Sequence, residues 1–228
     1  FVSHQFTPAL KTALKQQGIA RPLYDDTNLR ALISFCSRKL QRPFDCRDVQ
    51  FLQLYLQYCL MQHHLGNTPQ FSSVQRNWTQ SRGEYFTAQE IVRHWKRRVP
   101  QGTHSDEQLF LALLFMMLRT PDPVLDKHQQ DQRLRRAIVR MVARFRAQTG
   151  MNFSDEQGLT DQLYIHLAQA LDRSLFEIGI DNSLPEEIHR LYPRLLRTTK
   201  EALFELEAEF GLRFSDEEMS LVAVIFGA

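Results

Sequence analysis

The sequence predicts an all-α protein built as two tandem bundles of about five helices each. A faint internal repeat is the first sign. Phe44-Asp45 and Gln53-Leu54-Tyr55-Leu56-Gln57 are echoed by Phe153-Ser154-Asp155 and Gln162-Leu163-Tyr164-Ile165-His166, at an offset of 109 residues without a gap. Ala112-Leu113-Leu114-Phe115 is echoed by Ala223-Val224-Ile225-Phe226 at an offset of 111. Offsets this constant point to two copies of one domain. The other two signs are apolar residues that recur at helical spacing, with no alternating strand pattern, and the small number of Gly and Pro, nine of each in 228 residues.

The elements follow in order. Thr7–Gln17 forms a short amphipathic lead-in closed by Gly18. Asp25-Asp26-Thr27 caps a helix carrying Leu29, Leu32, Ile33, Cys36 and Leu40 on one face, and Pro43 ends it. Asp45 caps a second helix reaching His64, apolar nearly all round and therefore central. After the loop at Leu65–Pro69 come helices at Ser73–Ser81 and Glu84–Arg98, hinged near Gly83. Pro100-Gln101-Gly102 turns the chain, and Ser105 caps a last apolar helix, Leu109–Leu118.

Arg119-Thr120-Pro121-Asp122-Pro123 reads as the linker, because its prolines cannot continue a helix. The second copy opens with Gln129–Gln148, with Leu134, Ile138, Met141, Val142 and Phe145 on one face and Gly150 as its stop. Asp155 caps a helix extending to Glu177, before Gly179. Pro185 opens a third helix, with Glu186 and Glu187 favourable to its dipole. Pro193 opens or kinks a fourth that ends at Gly211. Ser215 and Glu218 have the spacing of a capping box for the fifth.

Composition narrows the function classes. A net charge of +2 gives the whole chain no strong field for nucleic acid. Cys36, Cys46 and Cys59 lack metal-ligand spacing and read as free thiols of a reducing, cytoplasmic compartment. No apolar run approaches the roughly 20 residues of a membrane span. No cofactor loop, metal cluster or catalytic constellation stands out, so the reading is a non-enzyme without cofactor; His63-His64, His94, His104 and His189 are scattered. The chain starts at Phe1 and stops in an apolar helix, which reads as a fragment.

Leu163-Tyr164-Ile165-His166-Leu167-Ala168-Gln169-Ala170-Leu171-Asp172-Arg173 resembles the histidine-bearing second helix of the phosphotransferase-system regulation domain, the PRD. Tyr192-Pro193 resembles the family's junction between third and fourth helices. Ser215-Asp216-Glu217-Glu218-Met219 with Leu221-Val222-Ala223 resembles its Asp-Glu-led last helix. The resemblance implies a first, degenerate PRD at 25–120 after the 1–24 lead-in, a linker at 121–128 and a second PRD at 129–228. It also implies a regulatory module of a transcriptional regulator or antiterminator. Such modules sense the sugar phosphotransferase system through phosphorylated histidines that switch a homodimer. The implied partners are the phosphocarrier HPr or a sugar-specific IIB component. Nucleic acid would be met only through a domain outside this stretch, and no membrane is involved.

Family PRDs offer an acceptor on the second helix and another on the fifth. Here the fifth-helix positions are Leu114 and Ile225, and the second-helix position of the first copy is Gln57. None of these side chains forms a phosphoramidate, so His166 alone remains. Three readings of His166 stand: a half-buried helix histidine bonded to a polar neighbour, a phosphoryl acceptor, or a dimer contact. An imidazole with an ordinary pKa of about 6.5 is nucleophilic near neutrality. Arg173, seven residues on, shares its face and is placed to meet a phosphate. The chain is then either a one-site sensor or an interaction and dimerisation scaffold that has lost phosphotransferase control. Arg133, Arg136, Arg140 and Arg144 form a basic stripe, read as a solvated face or as docking for an acidic partner.

Overall fold

The computed structural model describes residues 8, 11–13, 15, 16, 26–41, 43–64, 67, 70–98, 105–181 and 183–228. The chain divides into two compact units, Phe1–Arg119 and Thr120–Ala228. Among the described residues the regular structure is helical throughout. Of the lead-in at Thr7–Gln17, residues 8, 11–13, 15 and 16 are described and helical; its remainder and the cap at Asp25 lie outside the described part, as does the side chain of Ser105, whose backbone is the first residue of its helix.

Unit 1 carries α1 (Asp26–Leu40), α2 (Cys46–His64), α3 (Ser73–Gln80), α4 (Gly83–Arg98) and α5 (Ser105–Leu118). Asp45 caps α2 as its spacing predicts, accepting from the Asp48 N–H at 2.8 Å. Ser72 and Gln75 close a reciprocal capping box on α3. Helix α5 packs on α4 and α3, and α1 packs on α4 and α2. Their shared core holds Ile33, Cys36, Phe51, Leu52, Ile91 and Phe115. Arg76 of α3 holds buried Asp106 of α5 through two bonds of 2.6 and 2.9 Å.

Unit 2 carries α6 (Gln129–Thr149), α7 (Glu156–Leu175), α8 (Leu184–Leu191), α9 (Pro193–Phe210) and α10 (Asp216–Gly227). Helix α6 packs on α7 and α9, and α10 packs on α7, α8 and α9. At the centre the Phe145 and Phe226 rings stack at 3.9 Å, with Phe153 flanking both. Residues 120–128 belong to this unit. The Tyr164 hydroxyl donates to Asp126 at 2.7 Å, and Arg135 donates to the Asp126 carbonyl at 2.9 Å while lying over the Tyr164 ring.

The helix ends show where local rules hold and where they yield. Gly150 and Gly211 stop α6 and α9 at φ +69° and +66°, a left-handed conformation that glycine adopts without Cβ strain. Gln41 stops α1 at φ +52°, and it stands 109 residues before Gly150, at the repeat offset. Helix α7 ends at Leu175, short of the predicted Glu177. Glu177 itself turns left-handed at φ +56°, so that the Ile178 N–H reaches back to the Arg173 carbonyl at 2.8 Å. That six-to-one bond satisfies a carbonyl otherwise orphaned at the helix end, and the helix stops ahead of Gly179 without using it.

The basic stripe of α6 faces α9. Arg133 bonds Glu209 at 3.1 Å and lies over the Phe210 ring, Arg140 bonds Glu209, and Arg144 bonds Glu205 at 2.5 Å. Pairs this exposed contribute roughly 0–1 kcal/mol each. Their larger effect is that three of the four arginines are already matched to acidic side chains of the same unit.

Candidate functional site

His166 lies on α7 and Glu218 in the first turn of α10, and the packing of these helices brings the two side chains together. His166 Nε2 stands 3.2 Å from Glu218 Oε2. Arg173, two turns further along α7, grips the same carboxylate: its Nε donates to Oε1 at 2.6 Å and its Nη2 to Oε2 at 3.1 Å. The side chains are 15% exposed for His166, 4% for Glu218 and 7% for Arg173. Glu218 is thus a buried carboxylate between a guanidinium and an imidazole.

The sequence supports this arrangement locally. Leu159, Leu163 and Ala170 share the His166 face of α7 and are buried, which draws the imidazole inward. Ser215 accepts the Glu218 N–H at 3.3 Å and so starts α10 at the right point. The capping box expected there is only half formed. The Glu218 side chain turns into the core towards His166 and Arg173 instead of back to the Ser215 backbone, because a bidentate bond to a buried guanidinium outweighs an exposed cap bond.

The electrostatics are consistent with an ionised carboxylate. Burial pushes the Glu218 carboxyl up, but the neighbouring His166 N–H and the Arg173 hydrogen bonds and charge outweigh it and hold it below the usual carboxylate range. His166 Nε2 is itself fully buried and has no hydrogen bond of good angle. Glu218 Oε2 is the acceptor within reach, and the histidine χ2 well is broad enough for a small rotation to align the two.

The remaining predicted positions are spread through the fold. Ile225 lies on α10, half-buried, two turns beyond Glu218. Leu114 is buried in the unit 1 core. Gln57 lies on α2, and its side chain falls outside the described residues, as do those of His63, His64 and His94. His189 is exposed on α8. Arg173 and His166 both meet the Glu218 carboxylate, and Arg173 is committed to it through two hydrogen bonds. Glu218 is the member of this candidate site that the sequence shows only as a helix cap. Its signal is an acidic residue one turn into an apolar helix, which reads equally well as a cap.

Among the described residues, no group of His, Cys, Asp and Glu has the arrangement of a metal site. No described helix is long and apolar enough to cross a membrane.

The family model for the PRD domain matches residues 30–117 and, a second time, residues 139–228. The chain belongs to the PRD family. Its first PRD lies in unit 1 and its second in unit 2, where His166 and Glu218 meet. The stationary phase-inducible protein CsiE of Escherichia coli K12 is 62% identical over all 228 residues, and the match covers 54% of that protein. The transcriptional regulator ManR of Bacillus subtilis 168 is 23% identical over 124 residues, 54% of this chain and 19% of ManR. The tandem-PRD chain therefore spans about half the length of CsiE and a smaller share of ManR. No solved structure matches it.

Proposed function

We propose that this chain is the regulatory, non-enzymatic part of a PRD-containing transcriptional regulator, and that His166 receives the phosphotransferase signal as the one remaining acceptor. The observation that carries this reading is the buried carboxylate against His166, itself held by Arg173. A histidine oriented by a carboxylate is a prepared nucleophile. A phosphoryl group there adds nearly two negative charges next to Glu218, which favours separation of α7 from α10. The ManR match supports a role in transcription.

The phosphoryl donor in this reading is HPr or a sugar-specific IIB component, the compartment is the cytoplasm, and nucleic acid is met by a part outside these 228 residues. The chain acts as a homodimer. The apolar faces of α7 and α10 are largely used inside unit 2, so the dimer surface is assigned to exposed Val139, Leu191, Tyr192 and Phe204. A monomer in light scattering at tens of micromolar, a concentration typical of weak association, would remove that part.

The deciding experiment is intact mass after incubation with phosphoenolpyruvate, enzyme I and HPr, wild type beside His166→Ala. The variant leaves the Arg173–Glu218 pair in place, so its fold is retained. One phosphoryl group that is absent from the variant supports the one-site sensor. No transfer from charged HPr or from IIB domains favours the second reading, a protein-interaction scaffold without phosphotransferase control. The non-acceptor residues Gln57, Leu114 and Ile225 favour that second reading.

A further inference from the structure

The two nitrogens of His166 are not equivalent. Nε2 is fully buried and faces Glu218 Oε2 at 3.2 Å. The ring still retains 15% exposure, and that exposure belongs to atoms other than Nε2. A phosphoryl donor approaching from solvent cannot reach Nε2 without displacing Glu218. Moving Glu218 would leave the Arg173 guanidinium, 7% exposed, without its carboxylate.

We infer that His166 is phosphorylated at Nδ1, with Glu218 as the positioning residue that holds the Nε2 proton and Arg173 as the residue that fixes Glu218. This rests on the reading of His166 as the acceptor and adds which atom reacts and what prepares it. The nitrogen of a neutral imidazole that carries the proton is decided by the partner of the other nitrogen. A carboxylate at Nε2 selects the Nε2–H tautomer and leaves Nδ1 as the nitrogen with a free lone pair.

The step balances with a phosphoramidate donor. The Nδ1 lone pair attacks phosphorus, the Nδ1–P bond forms, and the donor P–N bond breaks with its electron pair leaving on the amine. The Nε2 proton stays on the ring, which becomes positively charged and faces the Glu218 carboxylate. A buried carboxylate stabilises such a developing imidazolium, as the aspartate does in serine-protease triads. Arg173 prevents Glu218 from swinging out to solvent as charge builds. It also explains why a charged pair whose burial contributes little net stability is present between α7 and α10.

The test uses the full chain and a small donor, potassium phosphoramidate, with His166 assigned by its loss in His166→Ala. Imidazole nitrogen NMR at mildly alkaline pH should show the His166 proton on Nε2; a proton on Nδ1 overturns the assignment. Phosphorus NMR with peptide mapping should then show the Nδ1 isomer at His166. The Nε2 isomer overturns the inference, and so does modification of exposed His189 with none at His166. Glu218→Gln keeps the side-chain shape and should lower the His166 rate, relative to His189, by about tenfold and mix the isomers. An unchanged rate ratio and a single isomer would leave Glu218 merely structural. If phosphoramidate gives the Nδ1 adduct while HPr and IIB domains transfer nothing, the site assignment stands and the proposed donor falls.

Discussion

Removing Glu218 by Glu218→Ala should be among the most damaging single changes in unit 2. The substitution strands Arg173, whose side chain is 7% exposed and whose two bonds to Glu218 are 2.6 and 3.1 Å. Leaving a buried charge without its partner costs about 3–5 kcal/mol. With a urea dependence of roughly 2 kcal/mol per M for a unit of this size, the unfolding midpoint should fall by about 2 M. The assay can be made specific to the unit. Both tryptophans, Trp78 and Trp95, belong to unit 1, so their fluorescence follows that unit while circular dichroism follows both. The variant should shift the dichroism transition. The control is Glu218→Leu with Arg173→Met, which removes both charges and fills their volume. It should recover most of the loss, because apolar replacement of a whole buried pair is commonly neutral or stabilising. A loss below about 1 kcal/mol in Glu218→Ala, or a double variant as unstable as the single, would refute the claim that the penalty is an uncompensated charge.

Three further predictions follow from the geometry. The Glu218 and Asp122 carboxyls both titrate below their ordinary range, Asp122 because the Leu125 and Val124 N–H groups bond it. Their contribution is therefore complete above the unfolded carboxylate pKa of about 4 and is lost as pH falls through the folded values, so unit 2 should melt earlier in acid. Thermal melts of Glu218→Gln should show a shallower acid slope than wild type, and parallel slopes would contradict the linkage. Gln41→Gly relieves a side chain at φ +52° and should raise unit 1 stability by about 0.5–1 kcal/mol in urea followed by tryptophan fluorescence; a loss would mean the Gln41 side chain contributes more than the strain. Tyr164→Phe deletes the bond to Asp126, should lower stability by about 1 kcal/mol, and should speed protease cleavage beside exposed Val124 and Leu125; unchanged cleavage would show that Arg135 alone holds the segment.

Much of the architecture was legible because it depends on neighbours in sequence. Asp45, Ser215, Gly150, Pro193 and Gly211 each start or stop a helix where their own chemistry requires it. The repeat offset of 109 places Gln57 and His166 in register. What stayed hidden depends on partners distant in sequence. Glu218 has its local role, a cap, in plain view, and its second role appears only when α10 lies on α7, 45 residues from Arg173. The arginines of α6 look like a free basic face until Glu205 and Glu209 of α9 meet them, 61 to 76 residues away. Residues 121–128 look like a linker by their prolines, and only the Tyr164 hydroxyl and the Arg135 guanidinium reveal that they fold onto unit 2. His128 gives no sign of capping in its residue type, yet its Nδ1 accepts the Gln130 N–H while Asp131 returns the bond.

The stacked rings of unit 2 have a counterpart that differs in one member. Phe44 and Phe115 stand at the repeat positions of Phe153 and Phe226, and they too lie nearly parallel, at 6.5 Å. The place of Phe145, 109 residues earlier, is taken by Cys36, a buried thiol pushed up to about 12 by desolvation and therefore chemically quiet. The two copies thus fill the same core position differently, with a third ring in unit 2 and a small thiol in unit 1. The copy that kept three interlocked rings is also the copy that kept the histidine.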